Sequence, residues 1–508
     1  MKELKLEIEA NEYWWGGLVR DGIYMPYKDE TLIRNLSKEQ GYNQSAPLLL
    51  SNRGRYIWSE EPFTYHFEKD TLNILCENGE IEYGEGYENL RGAFLTASQK
   101  HFPPSGKYPD DFLFKVPQYN TWIEMMYEPT QEKVIAYAKA ILENGMPAGV
   151  LMIDDNWQED YGVWNFHPGR FPEPKAMADT LHKMGFKVML WVCNFISPDS
   201  LTFRQLRDQS FLVKEENGRP ALGEWWNGYS GMLDVTNTEA VAWFKNELKK
   251  LTDRFGIDGF KLDSGDIDHF REGFVCSRPC NANEYCEEWA KIGLDYTLNE
   301  YRACWKLGGQ PIVQRLSDKM HSWKLENGLG SLVPNGLAQG IMGHSFTCPD
   351  MIGGGEYKDF LENDLRLDQE LIVRNAQCAA LFPMMQFSVA PWRVLNQENL
   401  TYCVEAAKLH ESMGGEIIEL AREAAVTGEP IIRHMEYVFP RKGYEKIIDQ
   451  FMLGNDILVA PVLQKGVTAK KIVFPDGVWE DAPGNQIQGP CIYEVPAPIS
   501  NLLWYRRK

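Results

Sequence analysis

The middle of the chain repeats one unit several times: a short apolar strand that ends in polar or charged residues, followed by a helix. The clearest strands are GVLMIDDNW (149–157), KVMLWVCNF (187–195) and IDGFKLDSGD (257–266). Such units form either a closed (β/α)8 barrel or an open doubly wound sheet. We favour the barrel, because carboxylates end several strands, and barrels carry their functional side chains at strand ends.

Helix signals separate these strands. Thr130 is the predicted N-cap of a helix over 130–144, and further helices are expected at 175–184 and 238–254. Upstream of them, Phe112–Pro117 is a strand-like run.

The chain divides into three predicted parts of an α/β protein. Short alternating segments indicate a β-sandwich over 1–110, and the repeated units place a (β/α)8 TIM barrel over 111–412. A Trp-, Gly- and Asn-rich insertion near 196–235 is expected to lie over the functional face of the barrel. A C-terminal β-domain is predicted over 413–508.

Charge and composition exclude several classes of function. With 52 Lys and Arg against 72 Asp and Glu, the net charge of −20 argues against binding to nucleic acid or to an anionic membrane. No apolar run is long enough to span a membrane, and the first residues lack the apolar core of a signal peptide, so we expect a cytoplasmic protein. The ten cysteines show no metal-ligand spacing, and no metal or organic cofactor is expected.

Two carboxylates are candidates for acid–base or nucleophilic chemistry. Lys261 and Asp263 are two residues apart on a strand and therefore point to the same face, where the ammonium group favours the ionised carboxylate. Asp318 follows another strand, three residues after Arg315. A structural Lys–Asp ion pair and a solvated loop Asp are the simpler interpretations of these two positions.

Further polar and aromatic residues cluster at strand ends. Asp154 and Asp155 end one strand and alternate in direction, so that one can face a pocket while the other binds local backbone. Asp350 precedes a glycine run that lacks the pattern of a phosphate-binding loop. Carboxylates with tryptophans nearby and no cofactor motif indicate glycoside hydrolysis, which needs two carboxyl groups in an aromatic-lined pocket; these tryptophans are Trp157, Trp191, Trp225, Trp226 and Trp323.

At these residues the sequence resembles glycoside hydrolase family 31, over about residues 110–480. KLDSGD (261–266) resembles the nucleophile motif of the family, and GLGSLVPNGLAQGIMGHSFTCPDMIGGG (328–355) resembles its glycine-rich stretch. Two segments after the barrel, 420–440 and 450–463, are also similar to the family. Within it, the chain most resembles the branch of the myogenesis-regulating glycosidase and bacterial α-galactosidases.

The resemblance implies a retaining mechanism in which Asp263 is the nucleophile and Asp318 the general acid and base. It places Arg315, Lys261, Asp154 and Trp191 around the sugar, and we add Asp155, Trp226 and Asp350 as candidate substrate-binding residues. For Asp155 and Asp350, the alternative is a purely structural role. His321 and Trp323 either shape the entrance of the site or only pack against neighbouring residues. Ordinary α-glucosidases of the family have a His where this chain has Pro349.

The expected function is therefore an exo-acting α-galactosidase with a small oligosaccharide or glycoside as substrate. An α-glucosidase or α-xylosidase of the same family is the alternative, and a non-catalytic sugar-binding protein is a further one. No nucleic-acid or membrane partner is expected, and the sequence leaves a homo-oligomer open.

Overall fold

The computed structural model describes residues 1–27, 32–361 and 367–508. Its centre is a ring of parallel strands, and we number their positions one to eight along the chain. Positions one to eight are Gln118–Asn120, Val150–Ile153, Lys187–Cys193, Gly259–Asp263, Asn299–Tyr301, Gln314–Arg315, the split pair Thr347–Cys348 and Met351–Ile352, and Gln386–Phe387.

The ring closes at position seven. Thr347–Cys348 pairs with strand six, Met351–Ile352 pairs with strand eight, and strand eight pairs with strand one. Pro349 and Asp350 separate the two halves of this position. The predicted (β/α)8 barrel is thus confirmed, and the open doubly wound sheet is wrong, because each of the eight positions has a neighbour on both sides, position seven through its two halves.

The predicted helices are present. Thr130 caps the helix Gln131–Glu143 by accepting a hydrogen bond from the Lys133 amide, and Gly256 ends the helix Thr238–Phe255 in the left-handed conformation. The described helices of the barrel region are Asp111–Lys115, Trp122–Met125, Gln131–Glu143, Pro174–Lys183, Leu201–Asp208, Thr238–Phe255, Ala282–Lys291, Leu332–Ile341, Gln369–Ala379, Pro391–Val394 and Gln397–Thr427.

The predicted strand over Phe112–Pro117 is wrong. This segment contains the short helix Asp111–Lys115, whose first turn is capped by the Asp110 carboxylate on the Phe112 amide. The helix packs against Gln397–Thr427 and buries Leu113 and Phe114. Tertiary packing decides the structure of this mostly apolar segment, and the barrel strand begins only after it.

Two antiparallel sheets form the N-terminal part. One contains Lys2–Glu7, Ile33–Asn35, Phe63–Glu68 and Thr71–Cys76, and the other contains Trp14–Leu18, Gln44–Ser51, Tyr56–Trp58 and Glu82–Gly84. Their apolar faces share one core, as expected for a sandwich. The helix Leu90–His101, which the sequence pattern did not predict, follows the last of these strands.

A six-stranded antiparallel sheet forms the C-terminal part. The helix Gln397–Thr427 crosses the expected boundary at 412/413, so the β-structure begins only after it. The strands are Ile432–Arg433, Phe451–Leu453, Ile457–Val459, Ala469–Glu480, Gln486–Pro496 and Trp504–Arg507, with the short helix Met435–Val438 between the first two.

Small sheets decorate the barrel loops. The insertion contains the hairpin Leu222–Trp225 and Gly228–Met232, with Phe195–Ile196 as its third strand. The remaining short strands are Gln158–Asp160 with Val163–Phe166, Lys214–Glu215 with Phe274–Val275, and Cys304–Trp305, which pairs with Gln44–Ser51.

The N-terminal sheet is anchored directly to two barrel strand ends. The Asn43 side-chain amide donates to the backbone carbonyls of Arg302 and Arg315, both at 3.1 Å, and the Gln44 amide donates to the same two carbonyls. These buried contacts carry the preceding residue, Tyr42, to the rim of the barrel. In the part of the chain that the structure describes, no helix has the length and apolarity needed to cross a membrane.

Adjacent glycines in the helix Gln397–Thr427 allow a matched test of this packing. A Cβ at Gly414 would lie 2.7 Å from Lys115 Cα, whereas a Cβ at Gly415 would meet open space. We expect Gly415→Ala to raise the free energy of unfolding by up to about 1 kcal/mol, because Ala favours a helix over Gly. Gly414→Ala should lower it, since the backbone of the neighbouring helix must move. Thermal unfolding of both variants checks this, and equal shifts in the same direction would contradict it.

Candidate active site

A cavity of about 320 Å³ opens at the carboxyl ends of the barrel strands. This volume is at the lower end of the roughly 300–1,000 Å³ that is usual for small-molecule sites. The cavity is lined by Tyr42, Trp122, Tyr127, Asp154, Asp155, Trp191, Trp226, Lys261, Asp263, Arg302, Asp318, Glu356, Tyr357 and Lys358. Seven of the nine residues that the sequence predicted for the site are among them, and Arg315 and Asp350 are not.

Asp263 ends barrel strand four and is held by donors from three directions. Its Oδ2 accepts a hydrogen bond from Trp191 Nε1 at 2.9 Å, and its Oδ1 accepts from the Ser264 amide at 2.9 Å and from Arg302 Nε at 3.2 Å. Lys261 Nζ lies 3.8 Å from Oδ2. The carboxylate is therefore fixed in orientation at the wall of the cavity.

The charges around Asp263 favour its ionised form. Burial acts to raise the pKa of this carboxyl, but the cations Arg302, Lys261 and Arg315 and the Trp191 hydrogen bond outweigh burial and hold the pKa well below its ordinary value. The group is thus an anion over the whole neutral range, as a carboxylate nucleophile must be.

The two adjacent carboxylates after strand two point to different partners. Asp154 Oδ2 accepts from Lys261 Nζ at 2.8 Å, which links strands two and four. Asp155 Oδ2 accepts from Asn227 Nδ2 at 3.1 Å and from the Tyr161 hydroxyl at 3.3 Å, while its Oδ1 has no hydrogen-bond partner among the described residues. Burial and the neighbouring Asp154 raise the pKa of Asp155 to about 7.

Asp318 follows strand six and lies at the opening of the cavity. Its side chain is 42% exposed, and its Oδ1 accepts from Arg315 Nη1 at 2.8 Å. The same Arg315 nitrogen donates to Asp350 Oδ1, and both of these residues are buried behind Asp318 rather than lining the cavity. Their predicted contact with substrate thus finds no support in their position.

Arg302 is a site residue that the sequence analysis missed. It directly follows strand five, and its guanidinium binds Asp263 Oδ1 and, through Nη2, Asp266 Oδ2 at 2.8 Å. The rings of Tyr42 and Trp226 lie 5.9 Å and 5.4 Å from its Cζ. A strand of only three residues gives no periodic signal, so an arginine at its end could not be recognised.

His321 and Trp323 belong to the packing of the loop after strand six. His321 Nε2 accepts from the Asp368 amide at 2.9 Å, and Trp323 Nε1 donates to Asp368 Oδ2 at 2.9 Å. Neither residue lines the cavity. Within the described residues, no three His, Cys, Asp or Glu side chains are grouped as ligands for a metal ion.

Two family models match the chain. The TIM-barrel domain of glycosyl hydrolases family 31 matches residues 117–311, and the C-terminal domain of the same family matches residues 428–508. The first match contains Asp154, Lys261 and Asp263, and the second covers the antiparallel sheet after the barrel.

Curated relatives agree with this assignment. The chain is 32% identical over 409 residues to the myogenesis-regulating glycosidase of Mus musculus. The aligned region covers 79% of this chain and 57% of the relative. It is 25% identical over 470 residues to the α-xylosidase XylQ of Lactiplantibacillus pentosus, covering 83% of this chain and 58% of the relative. The chain therefore spans less than two thirds of the length of these relatives.

Solved structures share the fold. A family 31 dextranase of Flavobacterium johnsoniae in complex with glucose superposes with a TM-score of 0.86 at 19% identity, over 100% of this chain and 66% of that chain. A family 31 α-xylosidase from a soil metagenome in complex with xylose gives the same TM-score and identity, over 100% and 79%. With the barrel, the flanking sheets and the matched domains, these similarities show that the chain belongs to glycoside hydrolase family 31.

Proposed function

We propose that the protein is a retaining, exo-acting α-glycosidase that removes terminal α-linked galactose. The observation that carries this proposal is the pair Asp263 and Asp318, two carboxyl groups from different strands that line one cavity. One is a buried anion held by cations, and the other is half-exposed at the opening. Such a difference in environment separates a nucleophile from an acid and base.

In the first step, an Asp263 oxygen attacks the anomeric carbon while the bond from that carbon to the glycosidic oxygen breaks. Asp318 transfers its proton to the departing oxygen, which leaves as an alcohol. The product is a covalent glycosyl ester on Asp263, and Asp318 is left as a carboxylate. Trp191 Nε1 and Arg302 hold the Asp263 oxygens in position for this attack.

In the second step, Asp318 takes a proton from water, and the water oxygen attacks the anomeric carbon. The bond from that carbon to Asp263 breaks, so that the sugar leaves with its original anomeric configuration and both carboxyl groups return to their starting states. Two displacements at one carbon give net retention.

The remaining cavity residues suit recognition of one sugar ring. Asp154, Asp155 and Lys261 offer charged groups to hydroxyls, and Trp191 and Trp226 offer flat faces to C–H groups. The small volume favours a single terminal residue, which is an exo mode of action. Pro349 stands where α-glucosidases have a sugar-contacting imidazole, and this difference is our reason for placing galactose first.

An α-glucoside or an α-xyloside is the second candidate substrate. It is favoured by the relatives, which include an α-xylosidase and an α-glucosidase of Saccharolobus solfataricus. A sugar-binding protein without turnover is the third possibility. Assays with a set of p-nitrophenyl glycosides distinguish these three possibilities.

The nucleophile assignment predicts the behaviour of Asp263→Ala. We expect hydrolysis of p-nitrophenyl α-galactoside to fall by roughly 10⁴-fold or more, because no covalent ester can form. Asp253→Ala, which removes an exposed carboxylate on the helix Thr238–Phe255, is the control.

The same assay with the p-nitrophenyl α-glucoside, α-xyloside and α-N-acetylgalactosaminide identifies the sugar that the protein cleaves. A folded Asp263→Ala protein with wild-type rates would contradict the assignment, and silence of the wild type on all four glycosides would favour the non-catalytic reading.

The stereochemical course is a separate prediction. Proton NMR of the reaction mixture in its first minutes should show the α-anomer of the released sugar, with the β-anomer appearing later by mutarotation. A β-anomer as the first product would instead require a single displacement by water, and would rule out the covalent intermediate.

The role of Arg302 predicts a shift in pH dependence. A nucleophile must be ionised, so kcat/KM falls at acidic pH as Asp263 gains a proton. Since Arg302 is the strongest of the groups that lower the pKa of Asp263, Arg302→Gln should move the acidic limb of the kcat/KM profile to higher pH, by roughly one unit or more. Arg302→Lys should restore part of the shift, and Arg278→Gln, an exposed arginine, should not change the limb. An acidic limb at the wild-type position in Arg302→Gln would contradict this role.

A further inference from the structure

The hairpin of the insertion has a loop of only two residues, Trp226 and Asn227. The loop joins Leu222–Trp225 to Gly228–Met232. Trp226 lines the cavity with its ring 5.4 Å from the guanidinium carbon of Arg302, whereas Asn227 is half-buried and bonds Asp155. Two successive side chains of one hairpin loop therefore reach two different walls of the cavity.

Both ends of the Asn227 side-chain amide are hydrogen-bonded. Its Oδ1 accepts from the Tyr127 hydroxyl at 3.0 Å, and its Nδ2 donates to Asp155 Oδ2 at 3.1 Å and to the Tyr161 hydroxyl at 2.7 Å. The Tyr161 hydroxyl in turn donates to the same Asp155 oxygen at 3.3 Å. Asn227, Tyr161 and Asp155 thus form a closed triangle of hydrogen bonds that fixes Asp155 Oδ2.

Aromatic packing holds the hairpin in place without using Asn227. The Tyr161 ring lies edge-on to Trp191 and Trp225, with ring centroids 6.1 Å and 4.8 Å apart. Trp225 also stacks on Phe195 at 4.4 Å, and its Nε1 donates to Ser230 Oγ at 3.1 Å. These contacts remain when the Asn227 side chain is shortened, so its role can be tested in a folded protein.

The other oxygen of Asp155 has no protein partner. Asp155 lines the cavity and is 2% exposed, and its Oδ1 makes no hydrogen bond to any of the described residues. A buried polar atom without a partner is unfavourable, and such atoms are typically completed by a ligand or by water.

A sugar hydroxyl can complete Asp155 Oδ1 in either protonation state. Burial and the neighbouring Asp154 raise the pKa of Asp155 to about 7, so that the neutral and the ionised carboxyl are both present near neutral pH. A hydroxyl group both donates and accepts hydrogen bonds, and it therefore pairs with the carboxylate as a donor and with the carboxylic acid as an acceptor.

We propose that Asn227 is a positioning residue: it fixes Asp155 Oδ2, so that Asp155 Oδ1 binds one hydroxyl group of the terminal sugar and makes this hydroxyl a determinant of specificity. This inference rests on the proposed function, because it names a contact of the proposed sugar. The hydroxyl is a non-anomeric one, since the anomeric oxygen is the one that leaves. A site built to bind a hydroxyl group rejects analogues that lack it, because the buried polar atom then stays unpaired.

The test combines variants of the protein with deoxy forms of the substrate. The substrates are the p-nitrophenyl glycoside that the wild type cleaves best and its monodeoxy analogues, one for each non-anomeric hydroxyl. For one analogue we expect the wild-type kcat/KM to fall by roughly tenfold to hundredfold. In Asp155→Ala the same deletion should cost about twofold or less, and in Asn227→Ala its cost should be at least about threefold smaller than in the wild type. Because each variant is compared on both substrates, differences in intrinsic reactivity cancel.

Asn217→Ala is the matched control. Asn217 also precedes a glycine of positive φ in the same insertion, but it is exposed and accepts a hydrogen bond from the Arg219 amide instead of reaching the cavity. It should keep the wild-type cost of every deoxy substitution. Asn227→Asp is a second variant, which keeps the shape and the acceptor for Tyr127 but loses the Nδ2 donor, and it should behave as Asn227→Ala.

A merely structural role of Asn227 gives a different result. Loss of hairpin geometry alone would lower kcat/KM by the same factor on the parent glycoside and on every analogue. Such equal losses in both Asn227 variants would overturn the inference, and so would a deoxy cost in Asp155→Ala equal to that of the wild type. The second result is also expected if water, and not a hydroxyl of the sugar, completes Asp155 Oδ1.

Binding without turnover keeps this inference distinct from the proposed function. For a protein that is inactive on every glycoside, dissociation constants are measured by calorimetry for galactose, glucose, xylose and N-acetylgalactosamine, and for the monodeoxy forms of the sugar that binds most tightly. A deoxy cost that shrinks in Asn227→Ala would then support the contact although the proposed function fails. An active protein with equal losses keeps the proposed function and overturns only this inference. A protein that neither cleaves nor binds any of these sugars overturns both.

Discussion

Pairing of buried charges at the barrel mouth is the constraint on which the rest of the site depends. Lys261 bonds Asp154, Arg302 bonds Asp263 and Asp266, and Arg315 bonds Asp318 and Asp350. Removing one member of a buried pair leaves the other uncompensated, which typically costs about 3–5 kcal/mol. The residues that prepare the proposed chemistry are therefore also residues that the folded barrel needs.

The same pairing gives two carboxyl groups unequal surroundings. Asp263 is enclosed by donors and cations, whereas Asp318 has one guanidinium partner and a face open to solvent. One small cavity is thus lined by a buried anion and by a carboxyl group that solvent reaches. Asp263 is the last residue of strand four, whereas Asp318 lies in the segment after strand six, which reaches the opening.

The long elements of the barrel could be predicted from sequence, and strand five could not. Helices such as Thr238–Phe255 carry caps and a full apolar stripe, and strand three has seven residues. Strand five has three residues, too few for a period, and so Arg302, which directly follows it, was missed. Because Lys261 and Asp263 are two residues apart on a strand, the sequence correctly placed both side chains on the same face of strand four. No local pattern could show that Asp350 lies behind Asp318, because their contact depends on the break in barrel position seven.

The segment around Tyr42 extends the candidate site beyond the barrel. Asn43 and Gln44 use their amides to satisfy the carbonyls that end strands five and six, and Tyr42 completes the cavity wall beside Arg302. A barrel excised on its own would expose those carbonyls and lose one side of the cavity wall. The N-terminal sheets and the barrel therefore depend on each other. A chimaera of two relatives that exchanges one of these parts has to keep the contacts of Asn43 and Gln44 with the ends of strands five and six.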